Sequence, residues 1–341
     1  MKVFKFGGAS VRDGAGIRNL YDIVAGENDR LVVVVSALGK TTNALEEVHQ
    51  AWRSGDSSLK AKCKATADYH LDVASGLLGD NSPDLASLAG MLSSFSGSLT
   101  EKKQGEFDHD YDMIVSMGEI WSTFIVEAYL RSMGLRTRWH DIRKLFVTDE
   151  RHREAGILWD ETSAAVAGAF DFHDADIYVT QGFIGATLSG EVTTLGREGS
   201  DYTAAVIANI LDAESVVVWK DVPGIMNADP KWLPSAVTLA HLSYNEAVEM
   251  TFSGAKVIHP KTIKPLHNKK IPMLVKPFTD RLAAGTLISD DAPQGAMCPV
   301  FVKKDGQMLL SLIPKDLSFV MGDNLAGLFH LLAKTGLKVN L

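Results

Sequence analysis

Cysteine is scarce. Cys63 and Cys298 are the only two in 341 residues, too few and too far apart for a disulfide framework or a zinc site. Their rarity fits a reducing compartment. Positive charge is also short: 34 Lys and Arg stand against 42 Asp and Glu, a formal net charge of −8. That balance argues against a nucleic-acid surface, which needs a basic stripe. It leaves a local basic patch as the mark of a small anionic ligand. Long apolar runs are missing too, and stretches such as 31–35 are far too short to span a bilayer. Met1 leads straight into a strand-like pattern with no apolar signal core, so the expectation is a cytoplasmic protein with no membrane partner. The sequence holds no G-x-x-x-x-G-K-S/T, no G-x-G-x-x-G and no G-x-S-x-G, which sets aside the commonest phosphate-loop, dinucleotide and nucleophile-elbow designs.

What is present is an ordinary globular composition, 46% apolar and 22% charged, able to bury a large core. Segments 1–6, 31–35, 135–139, 177–181, 215–219 and 272–275 have strand character and alternate with helical periodicity. Such alternation predicts an α/β sandwich with a mainly parallel sheet. Residues 54–110 carry no strand signal; their apolar residues stay periodic and read as a helical insertion. A helical pattern over 111–133 is expected to break at Gly118, and the glycines among Thr and Ser over 183–203 read as turns and close backbone approaches. Near 290–295 the composition becomes linker-like. This divides the chain into a catalytic domain over 1–293 and a β-α-β segment over 297–341, with strands at 308–313 and 337–341 around a helix at 325–335.

Several segments carry chemistry. Lys5 ends a strand that turns sharply at Gly7 and Gly8 before a helix, an arrangement that presents backbone N–H groups to an anion. The alternative is a plain turn. In 193–205, Gly196 and Gly199 bracket Arg197 and Glu198, with Ser200 and Asp201 at a helix start. Ser200 and Asp201 suit simple caps, whereas a guanidinium between glycines suits a bidentate grip on a carboxylate. Lys220, Asp221 and Lys231 stand in and after a strand-to-turn segment where a nucleotide's base, ribose or phosphates could be held. Lys256, after a glycine, is a further phosphate candidate or a surface lysine, and Glu119 is a helix cap or an acceptor for an ammonium group. The run 108–112, DHDYD, lacks the glycine and terminal glutamate of a calcium loop and reads as a solvated helix start. His259, before Pro260, reads as structural.

In this order, KFGGASV at 5–11, SALGKTTN at 36–43, SMGE at 116–119, LGREGSD at 195–201, KDVPG at 220–224 and KVIHP at 256–260 resemble the motifs of the aspartate kinases. The resemblance covers residues 1 to about 290. It implies the amino-acid-kinase fold, a three-layer αβα sandwich with a largely parallel eight-stranded sheet. It also implies transfer of the ATP γ-phosphoryl group to the β-carboxylate of L-aspartate, the first step toward lysine, threonine and methionine. By resemblance, Lys5 stabilises the transferring group, Asp201 organises the catalytic lysines, and Gly7 and Gly8 cradle phosphates. Thr42, Glu119, Arg197 and Ser200 would hold aspartate, with Arg197 on the α-carboxylate and Glu119 near the ammonium. Lys220, Asp221, Met226, Lys231, Lys256 and Val257 would face ATP. Mg²⁺ would bridge its phosphates, with no protein ligand assigned. Residues 297–341 resemble the start of a small α+β ACT-type domain, cut short here. Family members use such domains to bind lysine or threonine and to form homo-oligomers, so little of that feedback is expected of this chain. Four positions depart from the pattern: Ala9 stands for Thr, Glu198 for Gly, Lys220 for the commoner Thr and Pro223 for the commoner Asp. Glu198 is expected to point outward and leave activity intact.

Overall fold

Leu31–Val35 offers no polar side chain to solvent, and all five residues are buried. Only the interior of a sheet covered on both faces accommodates such a strand. The computed structural model describes residues 1–101, 104–255, 258–290, 298–303, 305–306, 308 and 322–334. The chain divides into two compact units, Met1–Val302 and Lys303–Leu341.

The first unit begins β1 (Lys2–Phe6), α1 (Gly14–Ala25), β2 (Leu31–Val35) and α2 (Thr41–Ser54). Four helices follow: α3 (Leu59–Leu78), α4 (Pro83–Glu101), α5 (Phe107–Val115) and α6 (Met117–Ser132). Next come β3 (Thr137–His140), β4 (Val147–Thr148), α7 (Trp159–Ala169), β5 (Ile177–Gln181), β6 (Ile184–Thr187), β7 (Val192–Thr194) and α8 (Gly199–Ile210). The unit closes with β8 (Ser215–Lys220), β9 (His241–Leu242), α9 (Tyr244–Ser253), α10 (Pro260–Lys269), β10 (Met273–Pro277) and β11 (Thr286–Ile288). The main sheet has eight strands in the order β3-β5-β2-β1-β8-β10-β11-β9. Its first six are parallel; β11 runs antiparallel to β10 and β9 parallel to β11. The sandwich expected from the alternation is therefore present, with a reversed edge that the sequence did not disclose.

Strand alternation sorts the core into two layers. Val3, Val34, Val216 and Val218 face Ala204, Ala205 and Ile207 of α8. Phe4, Phe6, Val33 and Val35 face Ile17 and Leu20 of α1, Leu45 of α2 and Trp121 of α6. Lys5, two residues after Val3, consequently lies on the α8 side. In the expected insertion, α3 and α4 pack together and against α6. The stretch Phe107–Ser132 is long and apolar enough to cross a bilayer, yet 83% of its apolar 18-residue window is buried by the rest of the fold, as for a core helix. Its break falls at Ser116, between α5 and α6, rather than at Gly118.

Two local expectations are corrected. Residues 183–203 are not all turns: β6 and β7 pair antiparallel and join β4 in a second, three-stranded sheet. Asp110 and Asp112 are not solvated but buried. Asp110 receives Arg53 at 2.5 Å. Asp112 accepts from the backbone N–H of Thr194 at 3.1 Å and of Arg153 at 2.9 Å, and from the Thr194 hydroxyl at 2.6 Å. His259 caps α10, its Nδ1 accepting from the Lys261 N–H at 3.2 Å. The described part of the second unit contains α11 (Gly322–Lys334). The strands expected at 308–313 and 337–341 lie, apart from Met308, outside the described residues, as do 291–297.

Candidate active site

The parallel register brings the carboxyl ends of four strands level, Phe6 beside Val35 and Trp219, and Val35 beside Gln181. Ligands in open α/β sheets bind beyond such ends. Here the departing loops enclose a cleft of about 810 Å³. Two glycines let its walls meet. A Cβ on Gly8 would stand 2.6 Å from the Ala37 carbonyl oxygen, where the Gly39 N–H donates to Gly8 O at 3.0 Å. A Cβ on Gly182 would lie 2.4 Å from Ser200 Cβ, so glycine alone lets α8 start hard against the sheet edge. At the N-terminus of α1, Asp13 is the cap, accepting from the Gly16 N–H at 2.8 Å. The helix starts that line the cleft are those of α2, α6 and α8, through Thr42, Glu119 and residues 199–201.

At the floor, the Asp201 carboxylate is clamped between two ammonium groups, Lys5 Nζ at 2.7 Å and Lys220 Nζ at 3.0 Å. Burial alone would raise its pKa; Lys5 and then Lys220 overrule that and hold it down at about 2. Lys220 is likewise desolvated, yet Asp201 and Glu198 outweigh the penalty and raise its pKa. Glu119, in the first turn of α6, is 3% exposed. Burial pushes it up to about 8, against the pull of the Ala37 N–H and of Lys5. Its Oε2 is buried and unpartnered among the described residues, an open acceptor in the cleft rather than a helix cap. Arg197 is exposed on the rim and makes no ion pair among the described residues.

Lys5, Gly7, Gly8, Thr42 and Glu119 all line this cleft, as do Arg197, Ser200, Asp201, Lys220 and Asp221. Met226 and Lys231 do not. Met226 bridges to Thr238, and Lys231 is exposed, its N–H donating to Asp229 at 2.9 Å. Lys256 and Val257 lie outside the described residues. Glu198 does not point outward: it lines the cleft with Oε2 buried, because its left-handed backbone (φ 53°) turns the side chain in. Tyr111, Arg153, Glu154 and Thr194 also line the cleft. No local pattern marks them, since the buried Asp112 on α5 gathers the 152–154 loop and β7 from far along the chain.

The model of the amino acid kinase family matches residues 1–277. Lysine-sensitive aspartokinase 3 of Escherichia coli is 32% identical, over 99% of this chain and 75% of that protein. The bifunctional aspartokinase/homoserine dehydrogenase 2 of Arabidopsis thaliana is 33% identical over 84% of this chain. The match takes in only 32% of that plant protein, so the chain spans about a third of the length of such relatives. The crystal structure of E. coli aspartokinase III in complex with aspartate and ADP superposes with a TM-score of 0.83 and 29% identity, covering 100% of this chain and 76% of that one. With the fold, the cleft and these relatives in agreement, the chain belongs to the amino acid kinase family, among the aspartokinases.

Proposed function

We propose that this protein transfers the γ-phosphoryl group of ATP to the β-carboxylate of L-aspartate, giving 4-phospho-L-aspartate and ADP. The observation that carries the reading is the Lys5–Asp201–Lys220 cluster at the floor of a cleft whose walls hold Glu119 and Arg197. A β-carboxylate oxygen attacks the γ-phosphorus, the bond to the β,γ-bridging oxygen breaks, and that oxygen leaves on ADP with its electron pair. The nucleophile is already ionised, so no general base is needed. Catalysis then rests on alignment and charge. Asp201 keeps Lys5 and Lys220 charged and aimed, and their ammonium groups meet the negative charge of the transferring oxygens. Gly7 and Gly8 let the phosphates approach the backbone, and Asp221 stands where the nucleotide leaves the cluster. Arg197 takes the α-carboxylate, Glu119 the ammonium, and Thr42 and Ser200 the remaining polar edges. Binding aspartate against Glu119 requires that carboxyl to lose its proton.

Among the described residues no cluster of three or more metal-ligating side chains exists, and both Asp201 oxygens already face ammonium groups. This donor set fits Mg²⁺ carried on the nucleotide's phosphates rather than in a protein cage. When bound, the ion would neutralise phosphate charge. We assign the unit ending at Val302 to catalysis and the segment from Lys303 to a regulatory, homo-oligomer-forming role; this second assignment rests on the family resemblance alone. Both cysteines are free, which suits a cytoplasmic setting. The test is hydroxylamine trapping of acyl phosphate with aspartate, glutamate, acetylglutamate or carbamate as acceptor. Signal with aspartate alone, reduced about 10²–10³-fold by Lys5→Ala, is the expected result. Silence with every acid despite ADP binding would mean a non-catalytic sensor.

A further inference from the structure

Glu198 is the residue that ordinary capping cannot explain. It stands at the N-cap of α8, its carbonyl accepting from the Tyr202 N–H at 3.1 Å, while its side chain makes no capping bond. Its φ of 53° is a left-handed conformation that disfavours any residue with a Cβ. The chain accepts this strain and uses it to place a carboxylate inside the cleft, with Oε2 buried and without a hydrogen-bond partner among the described residues. The charges facing it are Lys220 from β8, Lys5 from β1, Asp201 from its own helix and the adjacent Arg197. Burial raises its pKa; of the neighbours, Lys220 pulls hardest in the other direction. Lys220 pairs with Asp201 at 3.0 Å and lines the same cleft as Glu198, whose charge adds to the field on it. At the floor of the cleft two ammonium groups, Lys5 and Lys220, stand with two carboxyl groups, Asp201 and Glu198.

We propose that Glu198 is a resident counter-anion that competes with the nucleotide's phosphates for Lys220. This rests on reading the cleft as a nucleotide site. An incoming phosphate oxygen takes over Lys220 and leaves Glu198 facing like charge, which it relieves by taking up a proton. Glu198 thereby holds down the affinity for polyphosphate and speeds the release of ADP. Isosteric removal of its charge by Glu198→Gln leaves Lys220 to Asp201 and to the ligand.

Calorimetric titration without divalent cations tests this, using wild type, Glu198→Gln, Lys220→Met and the double variant against pyrophosphate, ADP and adenosine. The expected result is about tenfold tighter binding of pyrophosphate and ADP by Glu198→Gln, with adenosine unchanged. In the Lys220→Met background the same substitution should change affinity less than twofold. Wild-type affinity for pyrophosphate should also fall more steeply than that of Glu198→Gln between pH 5.5 and pH 8, a comparison that stands even if Lys220→Met does not fold. Equal or weaker binding by Glu198→Gln, or an undiminished gain without Lys220, overturns the proposal. The pyrophosphate arm is independent of the acceptor: the counter-anion can stand while aspartate fails as substrate, and the reverse.

Discussion

Glu119, proposed to hold the acceptor's ammonium, shows how one buried carboxyl would tie stability to substrate recognition. Its usual value of 4.5 is the unfolded reference, and burial raises the folded value to about 8. Below the first value both states hold the proton, and the group is neutral to stability. As pH rises between the two, the unfolded chain releases the proton while the folded one keeps it, so stability falls across that window and levels off above it. Glu119→Gln removes the penalty. Thermal unfolding should show the variant a few degrees more stable than wild type at pH 8 and equal to it at pH 4.5. The same variant should raise KM for the acceptor at least about tenfold, since it loses a charge-assisted bond to the ammonium. A variant less stable at pH 8 would mean that the buried carboxylate is ionised in the free protein. The sequence marked Glu119 as either cap or ammonium acceptor. Its burial and its unpartnered Oε2 argue against the cap.

At the level of elements, the wall of the cleft depends on contacts the motifs do not contain. Asp112 on α5 accepts from Thr194 twice and from the Arg153 N–H, tying one helix to a short strand and a loop. Asp112→Ala leaves these donors without an acceptor and should cost about 3–5 kcal/mol in urea unfolding. It should lower kcat/KM as well, because Thr194 and Arg153 line the cleft. An unchanged urea midpoint would show that water replaces the carboxylate. The strands of the parallel core were legible because unbroken β-branched runs have few alternatives. The two-residue strands β4 and β9, and the β6–β7 hairpin, were not: segments this short are strands only by virtue of what they pair with.

For the molecule as a whole, both hydrophobic layers lie within Met1–Val302. Residues 298–301 close that unit, with Phe301 N–H donating to Asn227 O at 2.7 Å and Asn227 Nδ2 to Pro299 O at 3.1 Å. A fragment ending at Val302 is therefore expected to unfold cooperatively and to bind ADP within about threefold of the full chain. One ending at residue 293 lacks the contacts to Asn227 and should be less stable. Equal unfolding midpoints for the two fragments would show that these contacts contribute nothing. Of the ATP-facing residues expected by resemblance, Lys220 and Asp221 stand in the cleft, while Met226 and Lys231 follow a loop that leaves it.

The sequence by itself determined the sandwich, the mainly parallel character of its sheet and the family, because periodicity and six ordered motifs are local properties of the chain. It also placed Lys5, Glu119, Arg197 and Asp201 among the candidates, since glycine turns and strand ends announce where side chains can meet a ligand. Tertiary structure alone decided that Lys220 shares Asp201 with Lys5, that Glu198 turns inward and that Asp112 is buried. The first and last of these depend on groups brought together from distant segments, and the second on a backbone conformation. Their energies are set by burial and by neighbours, which no local pattern encodes.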